Sequence, residues 1–60
     1  MRKRENIIKL MYSVTEKLSD IEALIYKGEV SKDDYEVLKH QIEFNKYKLD
    51  ELKEELENIF

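Results

Sequence analysis

Residues 28–35, Gly-Glu-Val-Ser-Lys-Asp-Asp-Tyr, carry both a helix stop and a helix start. Gly28 is the sole glycine of the chain, and glycine takes the left-handed backbone conformation that ends a helix without steric cost. Ser31 suits the N-cap of a second helix, and Asp34 follows it at the spacing of an acidic capping box. The stretch therefore predicts a hinge at residues 28–31 between two helices.

Two apolar residues beside the hinge are placed to fix the direction of the second helix. Val30 precedes the predicted cap and Tyr35 takes the fourth helical position, which is the spacing of a hydrophobic staple. We expect a first helix over about residues 4–27 and a second over about residues 32–59, in a single hairpin domain of 60 residues.

Apolar residues recur with a seven-residue period on both sides of the hinge. The first helix carries them at Ile7, Met11, Val14, Leu18, Ile21 and Ile25. The second helix repeats the pattern at Tyr35, Leu38, Ile42, Asn45, Leu49, Leu52, Leu56 and Ile59. These two seams match when the chain folds back on itself, so the fold class predicted is all-α, an antiparallel two-helix hairpin like a coiled coil.

Length and composition indicate that one hairpin is not the whole assembly. A chain of 60 residues buries only about 60% of its unfolded surface, which makes a lone monomer marginal. There is no cysteine to supply a disulfide, and 42% of the residues are charged, as is typical of long helices. We therefore predict a homodimer in which two hairpins form a four-helix bundle.

The residue types present argue against several classes of function. No apolar run is long enough for a membrane span, and we expect a cytoplasmic protein. His40 lies between Glu36 and Glu43, but di-iron bundles place the glutamate three residues before the histidine, so no metal site is predicted. Without cysteine, a glycine-rich loop or an expected pocket, we predict no cofactor and no enzyme activity.

A second stripe on the later helix is the candidate interaction face. It consists of Val37, His40, Phe44 and Tyr47, with a smaller counterpart on the first helix at Ile8 and Tyr12. These positions face away from the predicted seam, where a phenylalanine would be exposed to water. Two interpretations remain open: the stripe is the dimer interface, or it docks a helix of another protein.

Asn45 is the one polar residue in the seam of the second helix. A buried asparagine lowers stability unless it finds a partner, and its best-attested role is to set register and oligomeric state. We expect Asn45 to set the register here, with its symmetry mate as one possible partner.

Basic residues form the candidate nucleic-acid face. They are Arg2, Lys3 and Arg4 at the start of the chain and Lys32, Lys39, Lys46 and Lys53, which repeat every seven residues. Such a lysine row is usually a solvated surface paired with acids of the same helix, and contact with phosphates is the alternative. The net charge of −3 disfavours bulk electrostatic binding to nucleic acid.

Residues 24–38, Leu-Ile-Tyr-Lys-Gly-Glu-Val-Ser-Lys-Asp-Asp-Tyr-Glu-Val-Leu, resemble the hinge of SHOCT-type short helical domains. From about Ile7 to Leu56 the chain is also similar to the coiled-coil hairpin of large serine recombinases. In size and architecture it resembles plasmid copy-number regulators of the Rop type, which are dimeric hairpins that bind RNA. The first two resemblances imply protein association and no catalytic residue; the third implies the nucleic-acid alternative.

These observations together predict a non-enzymatic hairpin that self-associates and binds a partner protein by helix–helix contact. Its size suggests a phage- or plasmid-type regulator or adaptor, and the recombinase resemblance suggests a coiled coil as the partner. The alternatives are a nucleic-acid-binding regulator and a purely structural oligomerisation module.

Overall fold

The computed structural model describes residues 3–59, which form two α-helices joined by a short hinge. Helix α1 spans Arg4–Lys27 and helix α2 spans Lys32–Ile59. The two helices pack against each other, and residues 3–59 contain no β-strand. The prediction of an all-helical, two-helix fold is therefore confirmed. The hairpin measures 42 × 15 × 12 Å.

The hinge ends one helix and starts the next through local hydrogen bonds. Gly28 has φ 70° and ψ 17°, which is the left-handed conformation, and its N–H donates to the Ile25 carbonyl at 3.1 Å. The Ser31 hydroxyl accepts a hydrogen bond from the Asp34 N–H at 3.2 Å, and the Ser31 carbonyl accepts one from the Tyr35 N–H at 2.8 Å. The Ser31 hydroxyl thus satisfies the Asp34 N–H, one of the N–H groups that the first turn of α2 leaves without a backbone partner, and the Ser31 carbonyl accepts the first intrahelical hydrogen bond.

The two residues predicted to staple the start of α2 lie beside different depressions of the surface. Val30 is half-buried and lies with Leu24 and Leu38. Tyr35 lies with Ile25 and Ile42, on the other side of the seam. Each therefore lies beside residues of both helices at the hinge end of the hairpin.

The core follows the seven-residue seam. Its buried apolar side chains are Ile7, Val14 and Leu18 of α1 and Leu52 of α2. Half-buried side chains pack around them, namely Met11, Ile42, Leu49, Leu56 and Ile59. Because Ile7 near the start of α1 packs in one cluster with Leu52 near the end of α2, the helices run in opposite directions.

Candidate interaction surfaces

The seam divides the surface of the hairpin into two flanks, each with shallow depressions lined by both helices. On the apolar flank the large exposed side chains are Leu10, Leu24, Val37 and Phe44. The lysine flank carries Ile8, Tyr12, Tyr26, Tyr35 and the row of Lys32, Lys39, Lys46 and Lys53. Lys46 lines a depression of this flank. The other three lysines are separated from Lys46 by 7 or 14 residues, which places them on the same side of α2.

The apolar flank combines large apolar side chains with charges of both signs. Phe44 is 57% exposed and Val37 55%, and Leu24 is 49% exposed on α1. Around them the depressions are lined by the cations Lys17 and Lys48 and by four acids, Asp20, Glu29, Asp34 and Glu51. Exposed apolar side chains clustered along one flank are typical of a surface that contacts another protein chain.

Phe44 carries a contact that was not predicted from the sequence. The Lys48 ammonium lies over the ring, with Nζ 4.8 Å from the ring centroid. At an exposed site such a cation–π pair contributes about 0.5–1 kcal/mol. The sequence signal was the four-residue spacing, which puts both side chains on one face of α2. The contact orients the ring while leaving it more than half exposed.

Asn45 is buried at the edge of the apolar flank and is hydrogen bonded within its own helix. It is only 9% exposed, and its Nδ2 donates to the Gln41 carbonyl at 2.8 Å. Residues 3–59 contain no buried side-chain nitrogen or oxygen without a hydrogen-bond partner. The bond to Gln41 reduces the penalty of burying the amide without linking Asn45 to α1.

The remaining members of the predicted stripe, His40 and Tyr47, lie on the outer face of α2. Both are exposed, and neither lines the depressions of either flank. The Glu51 carboxylate accepts a hydrogen bond from the Tyr47 hydroxyl and adds its negative charge, and together these raise the pKa of Tyr47 above its ordinary value. This pair also follows from a four-residue spacing on α2.

The predicted six-residue interaction face is therefore distributed over three parts of the surface. Val37 and Phe44 belong to the apolar flank, with Leu10 and Leu24 of α1 as their neighbours. Ile8 and Tyr12 lie around a depression of the lysine flank, together with Leu56. The sequence period identifies which residues avoid the seam, but the side to which each one turns depends on how the two helices are paired.

The predicted basic residues are spread along the length of the hairpin. Arg2 lies outside the described residues, and Lys3 and Arg4 stand at the start of α1. Since Ile7 packs in the core with Leu52, this start lies at the same end as Lys53. Lys32 begins α2 at the opposite, hinge end.

The described part of the chain also bears on a membrane span and on a metal site. Neither α1 nor α2 contains an apolar stretch of the length that crossing a bilayer requires. Within residues 3–59, no group of three or more histidine, cysteine, aspartate or glutamate side chains is arranged to hold a metal ion.

Comparison with known proteins was made at three levels. No protein-family model matches the chain, and no curated protein and no solved structure matches it either.

Proposed function

We propose that this chain is a non-enzymatic adaptor or regulator that dimerises through its apolar flank into an antiparallel four-helix bundle and binds a partner protein by helix–helix contact. The observation that carries the proposal is the apolar flank. Leu24, Val37 and Phe44 are each about half exposed there, whereas the core formed by residues 3–59 contains only four buried apolar side chains.

A second copy of the chain fits this flank in area. One long face of the hairpin, 42 Å by 15 Å, has a projected area of the same order as the roughly 800 Å² that each partner buries in a standard protein interface. Burying the exposed apolar side chains contributes about 25 cal/mol for each Å² removed from water.

A second copy also fits the flank in charge. Lys17 and Lys48 can face Asp20 and Glu51 of the other copy when two identical flanks meet about a two-fold axis, because the flank carries both signs. The buried edge of such a bundle would include Asn45, whose predicted role in setting register belongs to this assembly.

Sedimentation equilibrium of wild type and Phe44→Glu tests the dimer. We expect wild type to be a dimer at tens of micromolar, and we expect the variant to weaken the dimer by at least about 30-fold, since a buried aromatic anchor contributes 2 kcal/mol or more. Tyr12→Glu is the matched control, because Tyr12 is an exposed aromatic residue on the lysine flank, and it should leave the dimer intact.

Circular dichroism on the same samples separates loss of dimer from loss of helix. A fully helical wild-type monomer at tens of micromolar would remove the dimer from the proposal. If Tyr12→Glu dissociates the dimer and Phe44→Glu does not, the interface lies on the lysine flank and the assignment of the apolar flank is wrong.

A further inference from the structure

The lysine flank differs from the apolar flank in carrying a row of one charge. Along α2 the row consists of Lys32, Lys39, Lys46 and Lys53, and all four are exposed. Of the α1 residues that line the depressions of this flank, only Glu22 is charged. A helix lying between α1 and α2 would therefore meet the four row lysines on one side and a single anion, Glu22, on the other.

A second copy of the chain is a poor occupant for this flank. When the two-fold axis runs across the hairpin, two identical flanks place one lysine row against the other. When the axis runs along the hairpin, each lysine row meets the α1 edge of the other copy, where Glu22 is the only anion that lines the depressions. Like charges juxtaposed in an interface are unfavourable and are a common means of excluding a wrong partner. The occupant should instead carry negative charge, and it should be a different chain.

Apolar and aromatic side chains along the same flank indicate the shape of the occupant. Ile8 and Tyr12 surround a depression with Leu56 toward one end of the hairpin. Tyr26 and Tyr35 surround a second depression toward the hinge. Spaced anchors along a groove between two helices are how proteins bind an amphipathic helix, and tyrosine is enriched in such interfaces.

We propose that the lysine flank binds an acidic amphipathic helix of a partner protein, with its apolar stripe between α1 and α2 and its carboxylates against the lysine row. The proposal specifies the partner surface left open by the proposed function and rests on it. At about 1.5 Å per residue, a helix of roughly 28 residues would span the 42 Å of the hairpin.

Nucleic acid is a less suitable occupant because of the acids beside the row. Glu36, Glu43, Asp50 and Glu57 each follow a row lysine by four residues on the same helix. Binding of a phosphate backbone depends on a strong net positive potential. These four acids cancel the positive potential of the lysine row at longer distances. Carboxylates on a helix seated between α1 and α2 would contact the lysines from the inner side and avoid the acids.

The test uses a fluorescent synthetic peptide of four heptads with leucine at a and d and glutamate at e and g. Like charges at e and g keep this peptide from pairing with itself. Fluorescence anisotropy at low salt should show binding to the full chain. The double variant Lys39→Glu/Lys46→Glu should weaken that binding at least ten-fold, and the neutral variant Lys39→Gln/Lys46→Gln should weaken it less.

Lys9→Glu is the matched control, since Lys9 is an exposed lysine of α1 that lines neither flank, and it should bind the peptide as wild type does. A charge-reversed peptide, with lysine at e and g, should bind the double glutamate variant better than it binds wild type. Circular dichroism establishes whether each variant is helical. If the double glutamate variant unfolds, peptide binding by the double glutamine variant tests the proposal.

Lys9→Glu and Lys39→Gln/Lys46→Gln both lower the net charge by two units, and equal weakening of peptide binding by these two variants would overturn the proposal, because the attraction would then depend on net charge alone. Tighter binding of a single-stranded or duplex RNA probe than of the acidic peptide at the same salt would also overturn it, in favour of nucleic acid. Sedimentation of the same samples keeps the two proposals distinguishable. If the chain is a monomer and its peptide binding depends on the lysine row, only the proposed dimer is contradicted. If the chain is a dimer that does not bind the peptide, only the proposed docking site is contradicted.

Discussion

The side-chain amide of Asn45 is hydrogen bonded to the backbone of its own helix, α2. Its side chain occupies a seam position where the preceding and following heptads place leucine, and its amide donates to the Gln41 carbonyl one turn earlier. That carbonyl already takes part in the helix backbone, so the bond satisfies the amide and adds no link between α1 and α2. An apolar side chain of similar size would contribute packing in the same position without burying a polar group.

We therefore predict that Asn45→Leu stabilises the fold by about 1 kcal/mol, which for a chain of this size raises Tm by about 4–8 °C. Thermal unfolding followed by circular dichroism measures the change. The variant also removes the device that would set register, so sedimentation should show a broader distribution of oligomers. Asn58→Leu, at an exposed position of α2, should change stability by less than about 0.5 kcal/mol. A lower Tm for Asn45→Leu would mean that the polar contacts of Asn45 outweigh the penalty of its burial.

Each helix is bounded by signals that lie in the sequence within a few residues of the boundary. Gly28 and Ser31 were predicted to end α1 and to cap α2, and both act through bonds to neighbours at most four residues away. Such local features can be predicted because backbone conformation and side-chain chemistry decide them together. The seam was predictable for a related reason, since an apolar period of seven residues determines which side of a helix is buried.

The contents of the two flanks were less predictable. Val37 and Ile8 both avoid the seam, and only the antiparallel pairing places them on different flanks. The contacts of Phe44 with Lys48 and of Tyr47 with Glu51 depend on rotamers of exposed side chains, which several spacings in a charged helix would allow. The spacing of residues in the sequence therefore identified candidates for the interaction surface but did not show which of them share a flank.

The conformation of Gly28 leads to a prediction about the end of α1. A Cβ added at Gly28 would meet no atom within 4 Å, so Gly28→Ala is not disfavoured by crowding. The left-handed φ of 70° alone should destabilise the alanine variant, by about 1–2 kcal/mol. Gly28→Asn should be closer to wild type, because asparagine tolerates this conformation. Urea unfolding gives the free energies, with Glu29→Ala as the control at the next, exposed position. An alanine variant as stable as wild type would show that the hinge has adopted another conformation.

As a whole molecule, the hairpin is a pair of helices with a narrow core and two uncovered flanks. Among the described residues four apolar side chains are buried, which is few to offset the conformational entropy lost when two helices of this length become ordered. Covering the apolar flank with a second copy would add buried area without lengthening the chain. Folding and self-association would then be coupled, because only the dimer completes the core.

This coupling predicts that the Tm of wild type increases with protein concentration, by about 5 °C for each tenfold increase, because a tenfold change adds about 1.4 kcal/mol per dimer. Circular dichroism melts at roughly 5 and 500 μM differ enough in protein concentration to detect this increase in Tm. Phe44→Glu should melt lower and independently of concentration, since its unfolding would involve one chain. Tyr12→Glu, on the other flank, should keep the concentration dependence of wild type. A wild-type Tm that is the same at both concentrations would show that the hairpin folds alone, and the stability of the molecule would then have to come from α1 and α2 within one chain.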